Sequence, residues 1–186
     1  MSKYDEFILY NPDNATEWLF DKLVHEVYGL TEEEIKIVDE GDNRDVCSMD
    51  KQEALKHAEN MENAMRKSPM RDDIILFRGM DENTAQYVMK ENLFTNKGFS
   101  DVTFNILNVF DGLNMIGNGS WYNIMKILVP KGTPCIFVAE QNLIILPRNL
   151  TLKCIGCRAI ESFTIEDTDK KYNYNRVRFF AMVVKQ

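Results

Sequence analysis

Four apolar residues without a break, Ile74-Ile75-Leu76-Phe77, run directly into Arg78, Gly79 and Met80. An apolar run of this length reads as a strand buried on both faces. Arg78 is expected at or near the end of that strand. Arginine is almost never fully buried without a partner, so a carboxylate or a ligand phosphate is expected to meet it. A structural ion pair at a strand end and an anion-binding arginine both fit this stretch alone. Gly79 is expected to let the backbone turn and to let a ligand approach closely.

Before this strand the chain reads as helical. Ala15 to Tyr28 carries Trp18, Leu19, Leu23 and Val27 at helical spacing and stops at Gly29. Thr31-Glu32-Glu33-Glu34 has the form of a capping box and opens a short helix through Ile35 and Val38. Asp50, with Glu53 three residues on, opens a third helix to about Lys67, with Leu55, Ala58, Met61 and Met65 on one face. After it the chain turns to strands. Asp81 is expected to cap a short helix, and Gly98 to Thr103 reads as a strand. Phe104 to Met115 is a weaker helix. Trp121–Val129, Cys135–Ala139, Leu143–Leu146 and Leu150–Ile155 are strands, and Arg158–Glu166 and Asn175–Val184 form a hairpin around Asp167-Thr168-Asp169-Lys170-Lys171. Helices first and strands later indicate an α+β fold. A single domain over residues 1–186 is expected, with 1–70 mostly helical and 71–186 mostly strands.

The chain has 186 residues, 45% hydrophobic and 27% charged, enough for one substantial core. A net charge of -7 disfavours a general grip on nucleic acid through phosphate neutralisation. No apolar window of roughly 18 residues is present, so no membrane span is expected. Met1-Ser2-Lys3-Tyr4-Asp5-Glu6 lacks a signal peptide's basic start and apolar core, which leads us to expect a cytoplasmic protein. Cys154-Ile155-Gly156-Cys157 lacks a second ligand pair at zinc spacing, and buried structural thiols are the simpler reading. No metal is expected.

Three signals stand in order: Arg78-Gly79, then Gly98-Phe99-Ser100-Asp101-Val102-Thr103, then Val138-Ala139-Glu140-Gln141-Asn142 running into Leu143-Ile144-Ile145-Leu146-Pro147-Arg148. Pro130-Lys131-Gly132-Thr133 lies between the last two. This order resembles the ADP-ribosyltransferases of the arginine–serine–glutamate class, which include bacterial exoenzymes and the Alt and Mod type enzymes of tailed phages. The resemblance covers about Lys51 to Gly156. It implies N-terminal helices packed on two short facing β-sheets, with a nucleotide cleft between them.

The resemblance also implies roles. NAD would be the substrate, with Arg78 on its pyrophosphate and backbone groups at Gly79 on the nicotinamide. Ser100 and Thr103 are the hydroxyl-bearing candidates for the ribose. A carboxylate near that ribose would stabilise an oxocarbenium-like state. The family shows Phe-x-Ser-Thr-Ser where this chain has Asp101-Val102-Thr103, making Asp101 a candidate stand-in carboxylate. Aligned without a gap to Pro147, the family's essential glutamate falls on Leu143. Shifted by one residue, Glu140-Gln141-Asn142 matches Glu-x-Glu, with Asn142 at the essential place and Glu140 the one acid in the stretch. Glu140 is therefore the catalytic candidate.

Three functions follow from the resemblance. The first is mono-ADP-ribosyl transfer from NAD to a macromolecule, with a protein side chain as target, in a host cytoplasm if the chain is phage-encoded. The second is a catalytically inactive binding or inhibitor module using the same cleft. The third is modification of nucleic acid.

Overall fold

The computed structural model describes residues 51–67, 69–115, 121–138, 143–167 and 170–185. The expected helices at Ala15–Tyr28 and Thr31–Val38 lie outside the described residues, as do Glu140 and Asn142. Among the described residues, three helices and eight strands follow in order: α1 (Lys51–Lys67), β1 (Ile74–Met80), α2 (Glu82–Glu91), β2 (Leu93–Asn96), β3 (Ser100–Thr103), α3 (Ile106–Met115), β4 (Tyr122–Val129), β5 (Ile136–Val138), β6 (Leu143–Leu146), β7 (Leu150–Asp167) and β8 (Lys170–Val184). The α+β class is as the sequence indicates.

The apolar run at Ile74 is a strand with two buried faces. Side chains alternate across a strand, and β1 divides accordingly. Ile74, Leu76 and Met80 enter one core with Met125, Ile127 and Phe180, while Phe77 enters a second core with Phe110, Leu113 and Ile124. The first core also takes Val102, Ile144 and Leu146 from β3 and β6, and Ala85 and Val88 from α2. Helix α3 closes the second core, where the Phe110 ring stacks on Tyr174. A third core joins Met61, Ala64 and Met65 of α1 to Ile136 and Ile145. An ion pair between Glu62 and Arg148 at 2.9 Å fastens the same helix beside it.

Where two facing sheets are expected, the hydrogen-bonded strands form one eight-stranded sheet in the order β2-β7-β8-β4-β1-β3-β6-β5. The physical reason is a single contact. Strand β1 pairs with β4 along its whole length, from Ile74↔Val129 to Met80↔Asn123, but with β3 only at Phe77↔Thr103. That pair joins two blocks whose apolar faces share the first core. Two further expectations change. Leu150–Ile155 and Arg158–Glu166 are one strand, β7, whose register against β8 shifts between Cys154 and Gly156. A glycine inside a paired strand makes a bulge rather than an end. The sequence reading also omits β2, which pairs antiparallel with β7 from Leu93↔Lys153 to Asn96↔Leu150.

Gly79 does not turn the chain, because β1 continues to Met80. Its glycine is required by packing: a Cβ there would stand 2.8 Å from Leu113 Cδ2 and 2.9 Å from Leu113 Cγ. Helix α3 thus sits against the bare backbone of β1. Among the described residues, no helix is long and apolar enough to cross a membrane.

Two outcomes follow from this packing. Gly79→Ala overpacks the α3 contact and is expected to cost about 1–3 kcal/mol. Combined with Leu113→Ala, the loss should be smaller than the sum of the single variants, because the second change makes room for the methyl group. Urea unfolding of the four proteins of this cycle measures both. The other outcome concerns Lys126, 4% exposed on β4, whose ammonium burial pulls down from 10.5 to about 8. Between those values the unfolded chain binds the extra proton, so this group's contribution to stability rises as pH climbs from about 8 to 10.5. The slope is at most about 1.4 kcal/mol per pH unit. The wild type minus Lys126→Met difference in unfolding free energy should show that rise, and a flat difference would refute it.

Candidate functional site

The cleft forms where β1 and β3 part. Past the Phe77↔Thr103 pair, β1 runs on through Arg78, Gly79 and Met80, while β3 runs back through Val102 and Asp101 without further pairing to it. All of these residues line one cleft of about 400 Å³, a size in the range of small-molecule sites. Helix α3 supplies Asn108, Val109 and Leu113 to it, and β6 supplies Leu143.

Arg78 is the cation of this cleft. It lies two residues before the end of β1, paired in register with Met125, near the strand end as expected. Its side chain shares the β1 face of Leu76 and Met80. Its Nη1 donates to Ser100 Oγ at 3.0 Å, and its guanidinium lies 5.8 Å from the centre of the Phe94 ring. Burial pulls the guanidinium below the ordinary arginine value, and the Asp101 carboxylate pushes it back up. Arginine holds its charge through such shifts, so the cleft keeps a partly desolvated positive charge.

Ser100 is buried and belongs to a short relay. Asn96 Nδ2 donates to Ser100 Oγ at 2.8 Å and to the Phe99 carbonyl at 2.9 Å. The hydroxyl therefore accepts from both Asn96 and Arg78, which holds the arginine against β3. Thr103 is buried at the back of the cleft, and its Oγ1 accepts from the Asn105 backbone N–H at 3.1 Å.

The candidates read from the motifs thus converge in part. Arg78, Gly79, Asp101 and Thr103 line the cleft, and Ser100 supports it from behind through Arg78. Glu140 and Asn142 lie outside the described residues. Leu143, the position where the ungapped alignment puts the family glutamate, lines the cleft and pairs with Thr103 across the β3–β6 ladder.

Phe94 and Asn96 were not among the candidates. The signal was slight: Leu93-Phe94-Thr95-Asn96 alternates exposed and half-buried residues over only four positions. Asn92 ends α2 in the left-handed conformation, with φ 55°, and turns the chain directly into β2. Two further acids stand near this end of β1. Asp81 lines the cleft but caps α2, accepting from the Thr84 N–H at 2.7 Å and the Thr84 hydroxyl at 3.0 Å. Burial raises the Glu82 carboxyl, but hydrogen bonds from Asn123, Arg178 and Gln86 outweigh it and leave the group below the usual carboxylate range. Arg178 Nη1 reaches it at 2.8 Å.

Both cysteines of the CxxC pair lie on β7. Cys154 is buried, with its thiol donating to the Gly156 carbonyl at 3.4 Å, and Cys157 is exposed on the same strand. Burial pushes both thiols up. Among the described residues no group of three or more His, Cys, Asp or Glu side chains is placed to hold a metal ion.

No family model matches the chain. It is similar to the NAD(+)–arginine ADP-ribosyltransferase EFV of Enterococcus faecalis, 28% identical over 98 residues, which is 50% of this chain and 20% of that protein. Among solved structures it resembles the enzymatic component C2-I of the Clostridium botulinum C2 toxin, with TM-score 0.66 and 13% identity over 92% of this chain and 47% of that one. It also resembles Plx2a, an ADP-ribosyltransferase toxin from Paenibacillus larvae, with TM-score 0.64 and 15% identity over 94% of this chain and 96% of that one. The chain thus spans about a fifth of the curated relative and about half of C2-I, but nearly all of Plx2a. At these identities the structural likeness concerns architecture, and the chain has the fold of the ADP-ribosyltransferase toxins.

Proposed function

We propose that this chain is an NAD-dependent mono-ADP-ribosyltransferase, built as one domain over residues 1–186, that uses the cleft between β1 and β3. One observation carries the reading: a half-buried arginine is held at the wall of a small-molecule-sized cleft, in a fold shared with ADP-ribosyltransferase toxins. A desolvated guanidinium suits a pyrophosphate, since charge-assisted bidentate contacts strengthen where water is excluded. The mainly apolar lining, from Phe77, Met80, Val109 and Leu143, suits flat rings and excludes water from the reacting bond.

In this reading Arg78 binds the pyrophosphate, and Gly79 offers backbone to the nicotinamide. Ser100 fixes the arginine, and Asp101, Thr103 and Asn142 surround the ribose. Glu140 is the acid that the motif alignment offers for catalysis. The name of the Enterococcus relative supports a protein arginine as acceptor. Nucleic acid is the weaker acceptor, because a net charge of -7 repels phosphate backbones. Kinship with the phage enzymes, and action in a host cytoplasm, rest on the order of motifs alone. Leu143 in the cleft favours a second reading, a module that binds NAD or a partner without turnover.

Arg78→Ala is expected to weaken NAD binding by about 1.5–3 kcal/mol, the loss of a hydrogen bond to a charged group. Isothermal titration of NAD into wild type and variant measures it. Equal affinities would remove Arg78 from the binding site. Labelled-NAD transfer to proteins of a cell lysate then separates the two readings, since a binding module titrates but transfers nothing.

A further inference from the structure

Leu143 makes the β6 side of the cleft apolar at the place where the motif alignment calls for an acid. Its ladder partner is Thr103, and Asp101 pairs with Ile145. Residues two apart on a strand share a face, so Asp101 and Leu143 are diagonal neighbours, about 7–8 Å apart. Asp101 is exposed, lines the same cleft as Arg78 and acts electrostatically on its guanidinium.

We propose that Asp101 is the carboxylate that faces the nicotinamide ribose, supplied from β3 where β6 presents a leucine. This rests on the transferase reading above. In the step it would assist, the bond between C1′ of the ribose and the nicotinamide nitrogen breaks. The bonding pair leaves with neutral nicotinamide, and the positive charge moves from the pyridinium ring onto C1′ and the ring oxygen. A lone pair of the acceptor side chain forms the new bond to C1′, and the acceptor's proton passes to solvent. Asp101 neither gains nor loses a proton, because its negative charge stabilises the cationic ribose as it develops.

The placement beside Arg78 gives this role a signature. The same charge that favours the cationic transition state offsets part of the arginine's attraction for an anionic dinucleotide. Only an interaction stronger in the transition state than in the ground state raises the rate. Asp101→Asn should therefore bind NAD as tightly as wild type, or more tightly, while its turnover falls by ~10²–10³-fold, as when an electrostatic stabiliser is removed. A merely structural role would weaken binding together with rate.

The experiment uses the full chain as wild type, Asp101→Asn, Asp101→Glu and Glu140→Gln. Each is checked for cooperative unfolding, titrated with NAD and assayed for nicotinamide release. Asp101→Glu keeps the charge and should retain more turnover than Asp101→Asn. Wild-type turnover in Asp101→Asn overturns the assignment, and loss of turnover in Glu140→Gln alone moves the role to Glu140. Wild type that binds NAD without releasing nicotinamide also overturns it. Wild type that fails to bind NAD refutes the transferase reading itself, and the assignment falls with it.

Discussion

A cation on a central strand is the constraint on which the cleft depends. Arg78 sits between Phe77 and Gly79 on β1, with neighbours on that strand that feed two apolar cores. Removing a charge from water is costly unless it is paired and hydrogen-bonded. The surrounding elements meet this cost with the Ser100 hydroxyl, the Phe94 ring and the Asp101 charge. All three come from β2 and β3, so these two short strands must close on β1 for the arginine to be tolerated. Continued pairing of β3 along β1 would leave no space at the guanidinium. The ladder instead stops at Phe77↔Thr103, and the gap it leaves is the cleft.

The walls of that gap are stiff because each belongs to a packed layer. Helix α3 packs against Gly79 at a distance no other residue type would permit without a shift. Strands β5 and β6 are backed by the methionines of α1. The Glu62–Arg148 pair adds little energy by itself, since both side chains remain about a quarter exposed and such pairs are screened by water. The burial of Met61 and Met65 contributes more, at about 1.5–3 kcal/mol for a fully buried side chain of this kind. A site carried by rigid elements holds its groups in place more closely than one carried by loops.

Much of this architecture was legible along the chain because its signals are local. The run Ile74–Phe77 announces a doubly buried strand, and Leu143–Leu146 announces another. The face of Met61 and Met65 announces the packed side of α1, and Asp81 marks the start of α2. The order of Arg78, the Phe99 stretch and Pro147-Arg148 also pointed to the fold that the solved toxin structures share. Strand β2 escaped notice because four residues with a half-buried Phe94 carry too little periodicity to separate from a loop. The length of β7 escaped for another reason: Gly156 looks like a break until β8 is present to pair across it.

The sequence by itself determined the residue types in each strand, their alternation, and the presence of one arginine where apolar residues would otherwise continue. It could not determine that Gly79 serves helix packing rather than a turn, because Leu113 is 34 positions away in the chain and meets it only in the folded state. Nor could it decide between one sheet and two, since that rests on a single long-range pair, Phe77 with Thr103. The register between β3 and β6 is likewise a tertiary fact. It places Leu143 beside Thr103 and diagonal to Asp101, and a shift of one residue would have turned every side chain of β6 to the other face.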